Sequence, residues 1–163
     1  MSVADENILT GKEWRVHKFG GTSVADAECF LKVAHIIEDQ ISNNAANLAV
    51  VVSAMGGKPK TTDLLLSTVS DAANREEASV QATIRQILDK HASCLELLFQ
   101  EEPSEKERLV QVVQKDLRDI EDILKTVSLM KWQAERISEL VSGTSKYPND
   151  RCIYLLVKLR LHI

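Results

Sequence analysis

The chain has 163 residues, of which 44% are hydrophobic and 27% charged, the ordinary composition of a globular domain with its own core. Its net charge of −4 and aromatic content of 4% argue against a nucleic-acid surface, which needs basic and stacking residues. No stretch approaches the roughly 18 apolar residues of a membrane span, and the acidic N-terminus resembles neither a secretory nor an organelle leader. We therefore expect a cytoplasmic protein, with a plastid location as the alternative if the natural N-terminus is longer.

The three cysteines, Cys29, Cys94 and Cys152, are odd in number and far apart in the sequence. This pattern favours free thiols in a reducing compartment and gives no support to a metal cluster.

The N-terminal third of the chain predicts a strand, a helix and a second strand. Trp14–Phe19 is the first strand, and apolar residues spaced by three and four over 24–41 predict a helix capped by Thr22 or Ser23. Leu48–Val52 is a continuous apolar run, typical of a buried parallel strand. Together these elements predict a right-handed βαβ unit.

Helical patterns dominate the rest of the chain. The first predicted helix begins at a Thr61 or Thr62 cap, and the second spans Ala78–Phe99. A third runs to Val127 after a Ser104/Glu107 capping box, and a shorter fourth spans about Trp132–Val141.

The residues of the segment Lys18–Val24 follow the order typical of a phosphate-binding site. Gly20 and Gly21 let backbone N–H groups approach an anion, the following helix adds its positive dipole end, and Lys18 supplies a mobile charge. A second loop over 53–60 leaves the carboxyl end of the second strand, the edge at which open α/β sheets bind ligands. Two such loops at one edge predict a phosphoryl-transfer domain.

Three strings, K-F-G-G-T-S-V (18–24), V-V-S-A-M-G-G (51–57) and T-T-D-L-L (61–65), resemble the amino-acid kinase family and, within it, the aspartate kinases. The helical hairpin is similar to that of the larger forms fused to homoserine dehydrogenase. The resemblance implies a three-layer α/β/α fold with a mainly parallel sheet, of which this chain has the N-terminal part with a helix-rich insertion. It divides the chain into a polar arm (1–13), a partial kinase domain (14–143) and a divergent tail (144–163).

The resemblance also implies a reaction, transfer of the ATP γ-phosphoryl group to the β-carboxylate of L-aspartate, the first step toward lysine, threonine, methionine and isoleucine. ATP, with Mg²⁺, is a co-substrate, and no tightly bound cofactor or protein-held metal is expected. By matching position, Lys18 is the catalytic residue. The ATP- and phosphate-binding residues are Lys18, Phe19, Gly20, Gly21 and Thr22, and those binding aspartate are Ser23, Ser53 and Thr62.

The resemblance stops after Ser142-Gly143, where the family continues with Y-G-E and a glutamate binds the substrate amino group. Lys146 stands where that acid is expected. We therefore expect a truncated form with little or no activity alone. The alternative is a non-catalytic product that associates with itself or with a full-length aspartate kinase, and neither a membrane nor a nucleic acid is expected as a partner. A P-loop NTPase is disfavoured because the G-x-x-x-x-G-K-[ST] motif is absent.

The remaining histidines and the loop lysines are expected to be structural or solvated and to have no catalytic role. His17 is expected to point away from Lys18 on the first strand, and His35 and His91 to lie at the surface or the core edge. Lys58 and Lys60 flank the second loop and are expected to be solvated.

Overall fold

The computed structural model describes residues 14–43 and 47–130. The elements in chain order are β1 (Trp14–Phe19), a 3-10 turn (Gly21–Val24), α1 (Ala27–Asn43), β2 (Asn47–Val52), α2 (Thr61–Ala73), α3 (Glu77–Leu98) and α4 (Pro103–Met130). The predicted strands and the helices up to residue 130 are therefore confirmed. The arm 1–13, the helix near 132–141 and the tail 144–163 lie outside the described residues, and the division into domains stays a prediction.

The two strands pair in parallel, in the register Trp14↔Asn47 to Phe19↔Val52. Side chains alternate between the two faces of this sheet. Phe19, Leu48, Val50 and Val52 belong to the apolar cluster that includes α1, whereas Trp14, Val16 and Val51 on the other face are 63%, 66% and 51% exposed. Because the strands are parallel, both loops begin at the same edge, as predicted.

Two apolar clusters hold the helices together. The first joins the sheet and α1 to the end of α3 and the start of α4, through residues such as Phe30, Val33, Leu95 and Leu109. The second joins α2 to α3 and α4, with Leu65, Ile87, Leu117 and Leu124 among its members. Since α3 and α4 contribute to both, the helical hairpin is continuous with the βαβ unit. The α/β class is confirmed. Within the described residues, helices pack on one face of the sheet.

The predicted cap of α1 is wrong. Thr22 and Ser23 lie inside the 3-10 turn, and Asp26 occupies the cap position, where its Oδ1 accepts a hydrogen bond of 2.9 Å from the Cys29 N–H. That N–H and the Glu28 N–H lower the pKa of Asp26 because they stabilise the ionised carboxylate. The glycine loop therefore ends in its own short turn before the helix begins.

The other two predicted caps are also wrong. Lys60 precedes the first residue of α2 and makes no side-chain cap hydrogen bond, so neither Thr61 nor Thr62 is the cap. Helix α4 begins at Pro103, whose fixed φ suits a first helical position, and Ser104 consequently lies within the helix.

The histidines divide between surface and core. His17 shares the core-facing side of β1 with Phe19, and their ring centroids are 6.4 Å apart. His35 is exposed beside Glu38, as predicted. His91 is more buried than predicted, at 6% exposure, and its Nδ1 lies 2.8 Å from the Ile87 carbonyl oxygen. Burial lowers the pKa of His91 because it penalises the charged ring.

No helix in the described ranges is both long enough and apolar enough to cross a membrane.

Candidate functional site

The first glycine loop turns sharply away from the end of β1. Gly20 is extended (φ −78°, ψ 172°), and the Ser23 N–H donates a hydrogen bond of 2.9 Å to the Gly20 carbonyl. The exposed Lys18 side chain folds back over this turn, since a Cβ placed on Gly20 would lie 3.7 Å from the Lys18 Nζ. The loop thus brings a lysine ammonium beside a backbone segment without a side chain, a suitable setting for an anion.

Backbone hydrogen bonds join this loop to the second one. The Ser53 N–H donates to the Phe19 carbonyl at 3.0 Å, which extends the parallel ladder beyond the strands. Further along, the Gly56 N–H donates to the Gly21 carbonyl at 2.9 Å. The two loops predicted to share an edge are therefore in direct contact.

The contact between the loops is too close for side chains. A Cβ on Gly56 would lie 2.3 Å from the Gly21 oxygen, and one on Gly21 would lie 3.1 Å from the Ala54 oxygen. Gly57, the next residue, has a positive φ of 87°, which also favours glycine. The glycines of the second loop are thus required by packing between backbones and by backbone conformation.

Helix α2 begins beside the same loops. The Thr61 N–H donates a hydrogen bond of 3.1 Å to the Met55 carbonyl, and Thr62 follows in the first turn of the helix, half-buried. The Thr61 Oγ1 is buried and has no hydrogen-bond partner within the described part of the chain. The positive end of the α2 dipole and an orphaned hydroxyl consequently border the second loop.

The structure brings most of the predicted site residues together. Six of the eight lie on the first loop or at its strand end: Lys18, Phe19, Gly20, Gly21, Thr22 and Ser23. Ser53 joins them through its bond to Phe19, and Thr62 lies across the second loop at the start of α2. Their roles in binding and catalysis stay predictions.

The charges around the loops are mainly positive. Lys18, Lys58 and Lys60 are all exposed on or next to the loops, and Asp63 is an exposed carboxylate in the first turn of α2. Across 14–43 and 47–130, no group of three histidine, cysteine, aspartate or glutamate side chains could hold a metal ion. The exposed lysines favour an anionic ligand.

A residue outside the predicted set, Lys90 of α3, also contacts the site. Its Nζ donates hydrogen bonds to the carbonyls of Gly56 and Pro59, the latter at 2.7 Å. A sequence signal existed, because Lys90 shares a helix face with the buried Ile87 and Cys94, where a lysine needs an internal partner.

Comparison with known proteins places the chain in a family. The model of the Amino acid kinase family matches residues 13–142. The chain belongs to the amino acid kinase family. Membership agrees with the resemblance carried by the three strings of its first 65 residues.

Several curated relatives of this family member are plant enzymes. It is 29% identical over 143 residues to the bifunctional aspartokinase/homoserine dehydrogenase 1, chloroplastic, of Arabidopsis thaliana, covering 87% of this chain and 15% of the relative. It is 29% identical over 142 residues to the corresponding Zea mays protein and 27% identical over 143 residues to the Daucus carota enzyme, covering 87% of this chain and 14% of each relative. The chain thus spans about 15% of these relatives, and the predicted resemblance to aspartate kinases is confirmed.

A solved structure shows the same fold. The chain aligns with E. coli aspartokinase III, crystallised in complex with aspartate and ADP, with a TM-score of 0.70 and 21% identity, covering 91% of this chain and 29% of that one. The predicted fold class is therefore confirmed.

Proposed function

We propose that this chain supplies the phosphate- and aspartate-binding loops of an aspartate kinase, which transfers the γ-phosphoryl group of ATP to the β-carboxylate of L-aspartate. The observation that carries the proposal is the hydrogen bond from Gly56 to Gly21, which holds two glycine loops together beside Lys18. The aspartokinase names of the relatives, and the aspartate and ADP bound by the structural neighbour, support the choice of substrates.

The proposed reaction needs no nucleophile from the protein. An oxygen of the substrate β-carboxylate attacks the γ-phosphorus, the bond to the β–γ bridging oxygen breaks, and ADP leaves. Catalysis then depends on positioning and on charge neutralisation. Lys18 is proposed to neutralise the transferring group, with the N–H groups near Gly20 and Gly21 binding its oxygens.

The substrate side is assigned to the hydroxyl residues around the second loop. Ser23, Ser53 and Thr62 are proposed to bind aspartate, and the start of α2 favours a carboxylate there. Phe19 and Thr22 complete the phosphate-binding loop. Mg²⁺ is proposed to enter with the ATP phosphates. The chloroplastic names of the relatives favour a plastid over the cytoplasm. The resemblance to aspartate kinases supports a role in the first step toward lysine, threonine, methionine and isoleucine.

The test uses the 163-residue chain and two lysine variants. Lys18→Ala removes the proposed charge, whereas Lys115→Ala removes an exposed lysine on α4 as a matched control. We expect calorimetry to show weak binding of ATP and L-aspartate by the wild type and the control. We expect about tenfold weaker ATP binding by Lys18→Ala, the scale of one lost charge-assisted hydrogen bond.

Aspartate-dependent ADP release is measured on the same samples. Because a site shared with further segments needs all of them, we expect little or no turnover by the chain alone. Absence of binding in a chain shown to be folded by circular dichroism would contradict the proposal, as would equal ATP affinity of Lys18→Ala and the wild type.

A second candidate function is association through the outer face of the sheet. Trp14, Val16 and Val51 expose apolar surface there, within the described residues. The partner would be a second copy of the chain or a full-length aspartate kinase. Sedimentation velocity should show association that Val16→Lys abolishes; a monomeric wild type at high concentration, with no binding to the full-length enzyme, would exclude this function.

A further inference from the structure

Lys90 connects the helical hairpin to the second glycine loop. It lies on α3, and its Nζ donates to two carbonyls of the loop, those of Gly56 and Pro59, more than 30 residues earlier in the chain. The contact bridges two parts of the fold that are otherwise joined by apolar packing.

One of the two carbonyls belongs to the residue that holds the loops together. Gly56 uses its N–H to bind the Gly21 carbonyl and its C=O to accept the Lys90 ammonium. It is therefore fixed from both sides, by the first loop and by α3. Movement of Lys90 would release the loop from one of these two restraints.

The surroundings of Lys90 suit a residue that holds the second glycine loop in place. It lies between Ile87 and Cys94 on the buried face of α3, and no carboxylate pairs with it in the part of the chain that the structure describes. Partial burial lowers the pKa of Lys90 because it penalises the ammonium, and the carbonyl oxygens compensate for part of the lost hydration. A lysine held in this way has a fixed position, unlike the exposed Lys58 and Lys60.

We propose that Lys90 is a positioning residue, which holds the second glycine loop against the first and so sets the geometry in which phosphate and aspartate bind. This proposal rests on the proposed function for its ligands, but its structural part, the restraint on Gly56, can be measured without any ligand.

The experiment measures amide hydrogen exchange by NMR in the full 163-residue chain. Lys90→Met keeps the aliphatic length and removes the donors, whereas Lys90→Arg restores donors for both carbonyls. Lys106→Met is the matched control, since the Lys106 Nζ also makes a 2.7 Å hydrogen bond, to Glu96, away from the loops.

We expect exchange of the Gly56 amide to become about tenfold faster in Lys90→Met, to return toward the wild-type rate in Lys90→Arg, and to stay unchanged in Lys106→Met. The amides of Val113 and Leu117 in α4 report global opening. Faster exchange confined to the loop supports the proposal, whereas an equal increase at all these amides overturns it, because Lys90 would then serve overall stability only.

The same samples are titrated with ATP and with L-aspartate. Weaker binding by Lys90→Met, with rescue by Lys90→Arg, supports the positioning role, and unchanged Gly56 exchange or unchanged affinities overturn it. If the wild type binds neither ligand, the proposed function fails, and Gly56 exchange alone still decides whether Lys90 holds the loop.

Discussion

Replacement of Gly56 by alanine should be among the most damaging small changes in this chain. The new Cβ would lie 2.3 Å from the Gly21 oxygen and 2.5 Å from its carbonyl carbon. Both are backbone atoms, so relief requires the two loops to separate. Overpacking of this kind costs about 1–3 kcal/mol, and loss of the Gly56–Gly21 hydrogen bond adds about 1 kcal/mol. We expect Gly56→Ala to lower the free energy of unfolding by about 2–4 kcal/mol.

Urea unfolding followed by circular dichroism measures this loss, and Gly20→Ala is the matched control. Gly20 has an extended backbone open to any residue, and its added Cβ would meet only the flexible Lys18 side chain at 3.7 Å. We expect Gly20→Ala to leave the stability unchanged or to raise it by up to about 1 kcal/mol, through a less flexible unfolded chain. Equal unfolding midpoints for the two variants would refute the reasoning that the loops meet backbone to backbone.

Three further predictions concern a helix cap, a buried histidine and the thiols. Asp26→Ala should cost about 1 kcal/mol in urea unfolding because the α1 cap is lost, with Asp26→Asn costing less; equal costs for the two variants would argue against the cap. Because the pKa of His91 is lowered in the folded chain, its contribution to stability is full above pH 6.5 and is lost as the pH falls below that value. The slope is at most about 1.4 kcal/mol per pH unit, and His91→Leu should flatten it. In a Cys152→Ser chain, a disulfide-exchange reagent at pH 8 should titrate Cys29 but not Cys94, since burial raises the pKa of Cys94 to about 12; rapid reaction of both thiols before urea is added would contradict this.

The elements were predictable where one pattern dominated. The apolar run before Ser53 and the regular spacing around Ile84 and Ile87 left few alternatives, since each matches the period of a buried strand or a one-sided helix. The predicted helix caps were wrong because several polar residues near each helix start can serve as the cap. Asp26 prevailed over Thr22 and Ser23 because the glycine loop first closes a 3-10 turn, a detail that side-chain preference alone does not specify.

The candidate site was predictable up to the edge at which it lies. Parallel pairing brings the residues after Phe19 and Val52 together whatever their identity, so the motif positions sufficed. The position of Lys90 on the buried face of α3 indicates that it needs a partner, but which partner it finds depends on how α3 packs against the loop, a contact distant in sequence.

The division of the core into two clusters has a consequence for the order of folding. In the second cluster α2 packs on α3 and α3 on α4, and short connections join each pair, whereas Trp14 of β1 pairs with Asn47 of β2, 33 residues later (47 − 14). Contacts near in sequence form faster, so the three helices are expected to assemble first. Pulse-labelled hydrogen exchange during refolding should protect the Leu117 amide before that of Val50, and the reverse order would contradict this view. The hairpin would then act as a template on which the glycine loops are completed last.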